Sequence, residues 1–121
     1  MPDHPIDEAA FGQLLETVAG DEEFLAELIG TFLADSPNLL VQMRSAIESG
    51  ETETLRRAAH TLKSTSATFG ASRLAGLARE IETAAAGAAL DGIPARVEAA
   101  AAEYEIAAAA LRGRTAGAAS T

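Results

Sequence analysis

The 121-residue chain has no cysteine and no tryptophan, and its aromatic residues are four phenylalanines and one tyrosine. Without thiols it can form neither disulfides nor thiolate metal sites, which fits a reducing compartment. Its two histidines, His4 and His60, lie far apart with no ligand spacing such as HExxH, so no metal site is expected. There is no GxxxxGK and no kinase-type glycine loop, so nothing in the chain binds nucleotide. Valine and threonine runs alternating at period two are missing, which argues against strands. No apolar run approaches the roughly 20 residues that cross a bilayer. The opening Met-Pro-Asp-His lacks the basic and apolar regions of a secretory signal.

Positive charge is also scarce. Nine Lys and Arg face eighteen Asp and Glu, for a net charge of −9. That balance argues against nucleic acid or anionic membrane as a partner, since both are bound through Lys and Arg. The distribution carries more information than the total. Residues 1–54 hold twelve acids and one base, whereas residues 55–79 hold no acid and five bases, Arg56, Arg57, Lys63, Arg73 and Arg79. Such a positive island favours an anion, with pairing to the acidic N-terminal half as the alternative for Arg56 and Arg57.

Alanine, the best helix former, dominates what is present, and the length suits one domain. Asp7 is placed to cap a short helix carrying Phe11, Leu14, Leu15 and Val18. Asp21 caps a longer one with Phe24, Leu25, Leu28, Ile29, Phe32 and Leu33 on one stripe. Pro37 predicts a kink, or a restart with Ser36 as cap, before Leu39, Leu40, Met43 and Ile47 continue the apolar face. A further helix is expected from about Thr52 to Thr68, stopped by Gly70, and another opens at Ser72 with Leu74, Leu77 and Ile81 inward. The last helix follows Pro94, with Ile93, Val97, Tyr104 and Leu111 at near-heptad spacing. The expected architecture is all-α: an antiparallel up-down four-helix bundle with a short extra N-terminal helix, spanning residues 6–112 between flexible termini at 1–5 and 113–121.

Helical phase turns His60 away from the core. At about 100° per residue, Ala59, Leu62, Ser66 and Phe69 fall within about 40° of Leu55 and make an inward stripe, while His60 falls about 140° away. Ser64 and Ala67 lie near it, and Arg56 and Lys63 flank it. Ser66, on the inward side, is expected to bond a carbonyl of its own helix. A lone exposed imidazole is most often just a surface residue, and Lys63 alone a solvated lysine. Together, however, they suit a phosphoryl group. Neutral imidazole is a competent nucleophile near neutral pH, and Lys63 one turn on can neutralise the charge that arrives. Ser64 can donate a hydrogen bond to a phosphoryl oxygen, and small neighbours let a partner's active site close over the ring.

The segment LRRAAHTLKSTSATFGA, residues 55–71, closely resembles the signature of histidine-containing phosphotransfer domains, the HPt family of multistep phosphorelays. Asp7, Phe32, Pro37, Leu74 and Ile81-Glu82 extend the likeness over residues 6–112. The resemblance implies that His60 is the phosphorylated histidine and Lys63 the lysine that steadies the phosphate. Ser64 stands where the family very often has glycine, and Gly70 matches a structural glycine at the helix end. Some relatives place a glutamine or arginine from the next helix near the phosphate. Here Arg73 flanks the inward stripe and can reach across, whereas Arg79 projects outward and is expected to pair with Glu82.

The function so implied is a phosphorelay intermediate, a phosphocarrier with no kinase or ATPase activity of its own. A receiver-domain phosphoaspartate would donate to His60, which would pass the group to another receiver aspartate. Response-regulator receivers and a hybrid histidine kinase are the expected partners. No cofactor is bound by this chain, and Mg2+ is expected in the receiver. A cytoplasmic monomer is expected, a free-standing carrier or a domain cut from a hybrid kinase. The docking surface is expected around His60, with Arg56, Arg57, Ala67 and Arg73 contributing and Phe11 or Leu15 adding apolar contact. Rival readings are a receiver-docking module that carries no phosphate, the phosphoacceptor domain of a chemotaxis-type kinase, and a structural bundle with an incidental histidine.

Overall fold

A computed structural model describes residues 5–87 and 89–119, with side chains described as far as Arg114. It consists of five helices: α1 (Glu8–Thr17), α2 (Glu22–Ser49), α3 (Thr52–Thr68), α4 (Ser72–Ala86) and α5 (Ile93–Ala119). The caps arise where short acidic side chains precede apolar periodicity. Asp7 Oδ1 accepts from the Ala9 N–H at 3.0 Å, and Asp21 Oδ1 accepts from the Phe24 N–H at 3.0 Å. Each satisfies a donor that the first helical turn leaves without a partner.

Pro37 does not restart the second helix. α2 runs unbroken for 28 residues with Pro37 inside it. A proline removes the N–H that would bond the carbonyl four residues back, here that of Leu33. The Tyr104 hydroxyl on α5 donates to that carbonyl at 3.0 Å, so the acceptor is satisfied from across the bundle. Ser36 therefore caps nothing. It lies inside the helix, buried, and its hydroxyl has no hydrogen-bond partner among the described residues.

Helices α2, α3, α4 and α5 pack as a ring, each against two neighbours, and α1 lies against α3. This is an all-α, antiparallel up-down four-helix bundle with an extra N-terminal helix. Its core takes Ile29, Phe32, Leu40 and Met43 from α2, Leu55 and Leu62 from α3, Leu74 and Ile81 from α4, and Ile93, Val97 and Leu111 from α5. Phe32 stands at the centre of an aromatic cluster, 5.0 Å from the Phe69 ring and 6.0 Å from that of Tyr104. Alanines at 59, 78, 100 and 108 are also fully buried, letting the helices approach closely. Phe24 departs from its expected stripe and is exposed. By length and composition α2 is apolar enough to cross a membrane, but its inward stripe is packed into the bundle, and the exposed Arg44 of α2 forms a two-point ion pair with Glu98 of α5. Helix α5 continues to Ala119, into the segment expected to be a flexible tail. Residues 1–4 and 120–121 of the expected flexible termini lie outside the described residues.

Candidate functional site

The α3 pattern divides this helix as its phase predicts. Leu55, Ala59, Leu62, Ser66 and Phe69 are buried, and Ala58 joins them. His60, Ser64 and Ala67 are exposed on the other side. The His60 side chain is 54% exposed, so another protein can reach it.

The turn after α3 decides what faces that histidine. Gly70 has φ +78, a left-handed conformation that costs an L side chain energy. Its carbonyl accepts the Asp7 N–H at 2.7 Å, anchoring the start of α1. A Cβ there would sit 2.7 Å from the Asp7 carbonyl oxygen, so glycine is required by conformation and by space. The turn folds α4 back along α3, and Glu82 of α4 arrives beside His60.

Glu82 is the residue sequence reasoning missed. One oxygen, Oε2, lies 2.7 Å from His60 Nδ1, and the other, Oε1, lies 2.8 Å from Lys63 Nζ. Glu82 therefore does not pair with Arg79 as expected, because both its oxygens are taken by α3. Its side chain is only 18% exposed. The Lys63 ammonium, and after it the His60 imidazole, hold its carboxyl below the usual carboxylate range. The signal was present in the numbering: His60 and Glu82 lie eleven residues either side of Ala71, at the same level of an antiparallel pair.

An ionised carboxylate can only accept hydrogen bonds. Neutral His60 facing it must therefore carry its proton on Nδ1, which leaves the lone pair on Nε2. The contact fixes the ring's tautomer and its orientation together. An imidazole held in this way can act as a nucleophile through Nε2.

The surrounding cations are less free than their sequence positions imply. Arg56 makes a two-point contact with Glu53, the closer at 2.6 Å, and Arg57 approaches the same carboxylate at 3.7 Å. Both thus pair with the last acid of the N-terminal half. The Arg56 guanidinium is stabilised first by Glu53 and more weakly by Glu82, which places it in the field of the site. Arg73 lies 3.6 Å from Glu103 on α5. Ser64 keeps its side chain exposed beside the histidine, and its carbonyl accepts the Thr68 hydroxyl at 3.1 Å.

Two further expectations change. Ser66 bonds no carbonyl of its helix; its buried hydroxyl has no partner among the described residues. The carbonyl one turn back, that of Leu62, already accepts the Thr65 hydroxyl at 3.2 Å. Phe11 is buried at 3% exposure, its ring capped by the Arg114 guanidinium at 4.4 Å, so it offers no surface to a partner. Leu15 is 38% exposed and keeps that possibility. Among the described residues no three His, Cys, Asp or Glu side chains gather as a metal site would require.

A family model described as the Hpt domain matches residues 27–113. The chain belongs to the Hpt domain family. Its fold is similar to the crystal structure of histidine-containing phosphotransfer protein B (HptB) from Pseudomonas aeruginosa PAO1. That likeness has a TM-score of 0.86 and 28% sequence identity, and covers 94% of this chain and 96% of the other. No curated protein sequence matches the chain. Hpt domains are phosphocarriers of phosphorelays rather than catalytic domains, and they interact with receiver domains and histidine kinases. In this chain the exposed His60 lies together with Lys63 and Glu82 on one face of the domain.

Proposed function

We propose that this Hpt domain accepts a phosphoryl group on His60 Nε2 from the phosphoaspartate of a receiver domain and passes it to the aspartate of another. The observation that carries the reading is the His60 contact with Glu82, which leaves Nε2 as the nucleophilic atom. In the forward step the Nε2 lone pair forms the P–N bond as the acyl P–O bond breaks. The receiver aspartate departs as a carboxylate. The proton on Nδ1 stays where it is, shared with Glu82, which stabilises the positive charge that develops on the ring. The reverse step returns the electrons to Nε2 and delivers the phosphoryl group to the next carboxylate.

Phosphoryl transfer depends chiefly on positioning and on neutralising charge. Lys63 supplies a cation one turn from His60, and Ser64 supplies a small hydroxyl beside it. The receiver supplies its own aspartate and Mg2+. We place the protein in the cytoplasm as a monomer, docking through the face around His60 with Leu15, Ala67, Arg56 and Arg57 at its margins.

The test is label transfer from a panel of phosphorylated receivers, with His60→Gln as control. Acid-labile label on the wild type alone supports the carrier. Binding without transfer from any receiver contradicts it in favour of a docking module. Label gained only from an ATP-charged kinase domain contradicts it in favour of a chemotaxis-type phosphoacceptor.

A further inference from the structure

The Lys63 ammonium, one turn along the helix from the acceptor, is already bonded to a carboxylate. Glu82 Oε1 holds Lys63 Nζ at 2.8 Å while Oε2 of the same group holds His60 Nδ1. When Nε2 takes up a phosphoryl group, a doubly charged anion is added across the imidazole ring from Glu82. The new anion repels that carboxylate and draws on the same ammonium. The carboxylate is mostly buried, so water screens the repulsion only in part. Arg56 is held by Glu53 in a two-point contact, whereas Arg57 only approaches the same carboxylate, at 3.7 Å.

We propose that Glu82 competes with the phosphoryl group for Lys63 and so sets how tightly His60 retains its phosphate. The residue has two opposed effects. It orients the imidazole and favours attack, and it destabilises the product by like charge and by occupying Lys63. In polarising Nδ1–H it also strengthens the P–N bond, but that acts through one hydrogen bond, whereas the repulsion is between full charges. The balance is a domain that loads readily and releases readily, a conduit for phosphate rather than a store. Glu82 is thus a positioning residue that acts through His60 and Lys63. This inference deepens the carrier reading and rests on His60 being the acceptor.

Glu82→Gln separates the effects, because the amide keeps the shape and an oxygen acceptor for Nδ1–H while removing the charge. His60 is loaded directly with phosphoramidate, which needs no receiver, and phosphohistidine decay is followed by 31P NMR in wild type and variant of matched helicity. Phospho-His60 is expected to persist several-fold longer in Glu82→Gln. With any receiver that exchanges phosphate, the equilibrium is expected to shift toward His60 by about tenfold, or roughly 1.4 kcal/mol. In a Lys63→Met background the gain shrinks, because there is no ammonium to release. Equal lifetimes, or a shorter one in Glu82→Gln, overturn the proposal. Should no receiver transfer phosphate to the wild type while the directly loaded lifetimes still differ as stated, the carrier reading fails and the competition stands.

Discussion

The Tyr104 hydroxyl donates to the Leu33 carbonyl at 3.0 Å, filling the acceptor that Pro37 leaves without a helical N–H. The bond joins α5 to the middle of α2 and explains how a long helix carries proline through the bundle. Tyr104→Phe keeps the ring against Phe32 but leaves a part-buried carbonyl unpaired. The expected cost is roughly 1–3 kcal/mol, read as a lower midpoint in urea unfolding. In a Pro37→Ala background the backbone N–H returns to Leu33, and the cost of Tyr104→Phe should fall. Equal costs in both backgrounds would contradict the assignment.

Gly70 makes a second prediction. Gly70→Ala places a methyl in a left-handed conformation, at roughly 1–2 kcal/mol, and against the Asp7 carbonyl at 2.7 Å. The first cost is intrinsic, and the second falls on the anchor of α1. Faster amide exchange at Asp7 and Phe11, with the α3 core still protected, is the expected signature. Uniform loss of protection would instead mean that α1 does not open as a separate unit.

The Glu82 carboxyl titrates below its ordinary range because Lys63, and then His60, favour its charged form. A carboxyl whose folded pKa is depressed contributes stability above its unfolded value of about 4.3. That contribution is lost as pH falls through the folded value. The stability of the wild type relative to Glu82→Gln should therefore decline as pH falls below about 4.3. Denaturant unfolding at a series of acid pH values measures it; a difference that grows as pH falls below about 4.3 would carry the wrong sign.

Leu15 is exposed and lies outside the core that α1 helps to close. Leu15→Asp should change stability by no more than about 0.5 kcal/mol. It should slow phosphate exchange with a receiver while leaving direct loading by phosphoramidate unchanged. Slowing of both reactions would place the effect in the site rather than in docking.

The bundle itself was legible because helical periodicity, two aspartate caps and the glycine stop at Gly70 agree with one another. The boundaries of α3 and the outward direction of His60 follow from that pattern alone. What escaped depends on contacts between distant segments. Pro37 reads as a break until Tyr104, far along the chain, satisfies the orphaned carbonyl. Within α1, periodicity marks both Phe11 and Leu15 as apolar but does not say which one the bundle covers. Glu82 escaped for a similar reason. Its partners become evident only when α3 and α4 are laid antiparallel about Ala71, and a search for a nearby cation on its own helix suggests Arg79 instead.

Whether His60 Nε2 carries the phosphoryl group is decided by NMR of the loaded domain. The 15N-labelled chain is incubated with a phosphorylated receiver, and the ring nitrogen bonded to phosphorus is identified by its coupling to 31P. The expected result is acid-labile phosphate on His60 with coupling at Nε2, Nδ1 still protonated against Glu82, and no phosphate on His60→Gln. Phosphate on Nδ1, on another residue, or nowhere while the receiver binds, would contradict it.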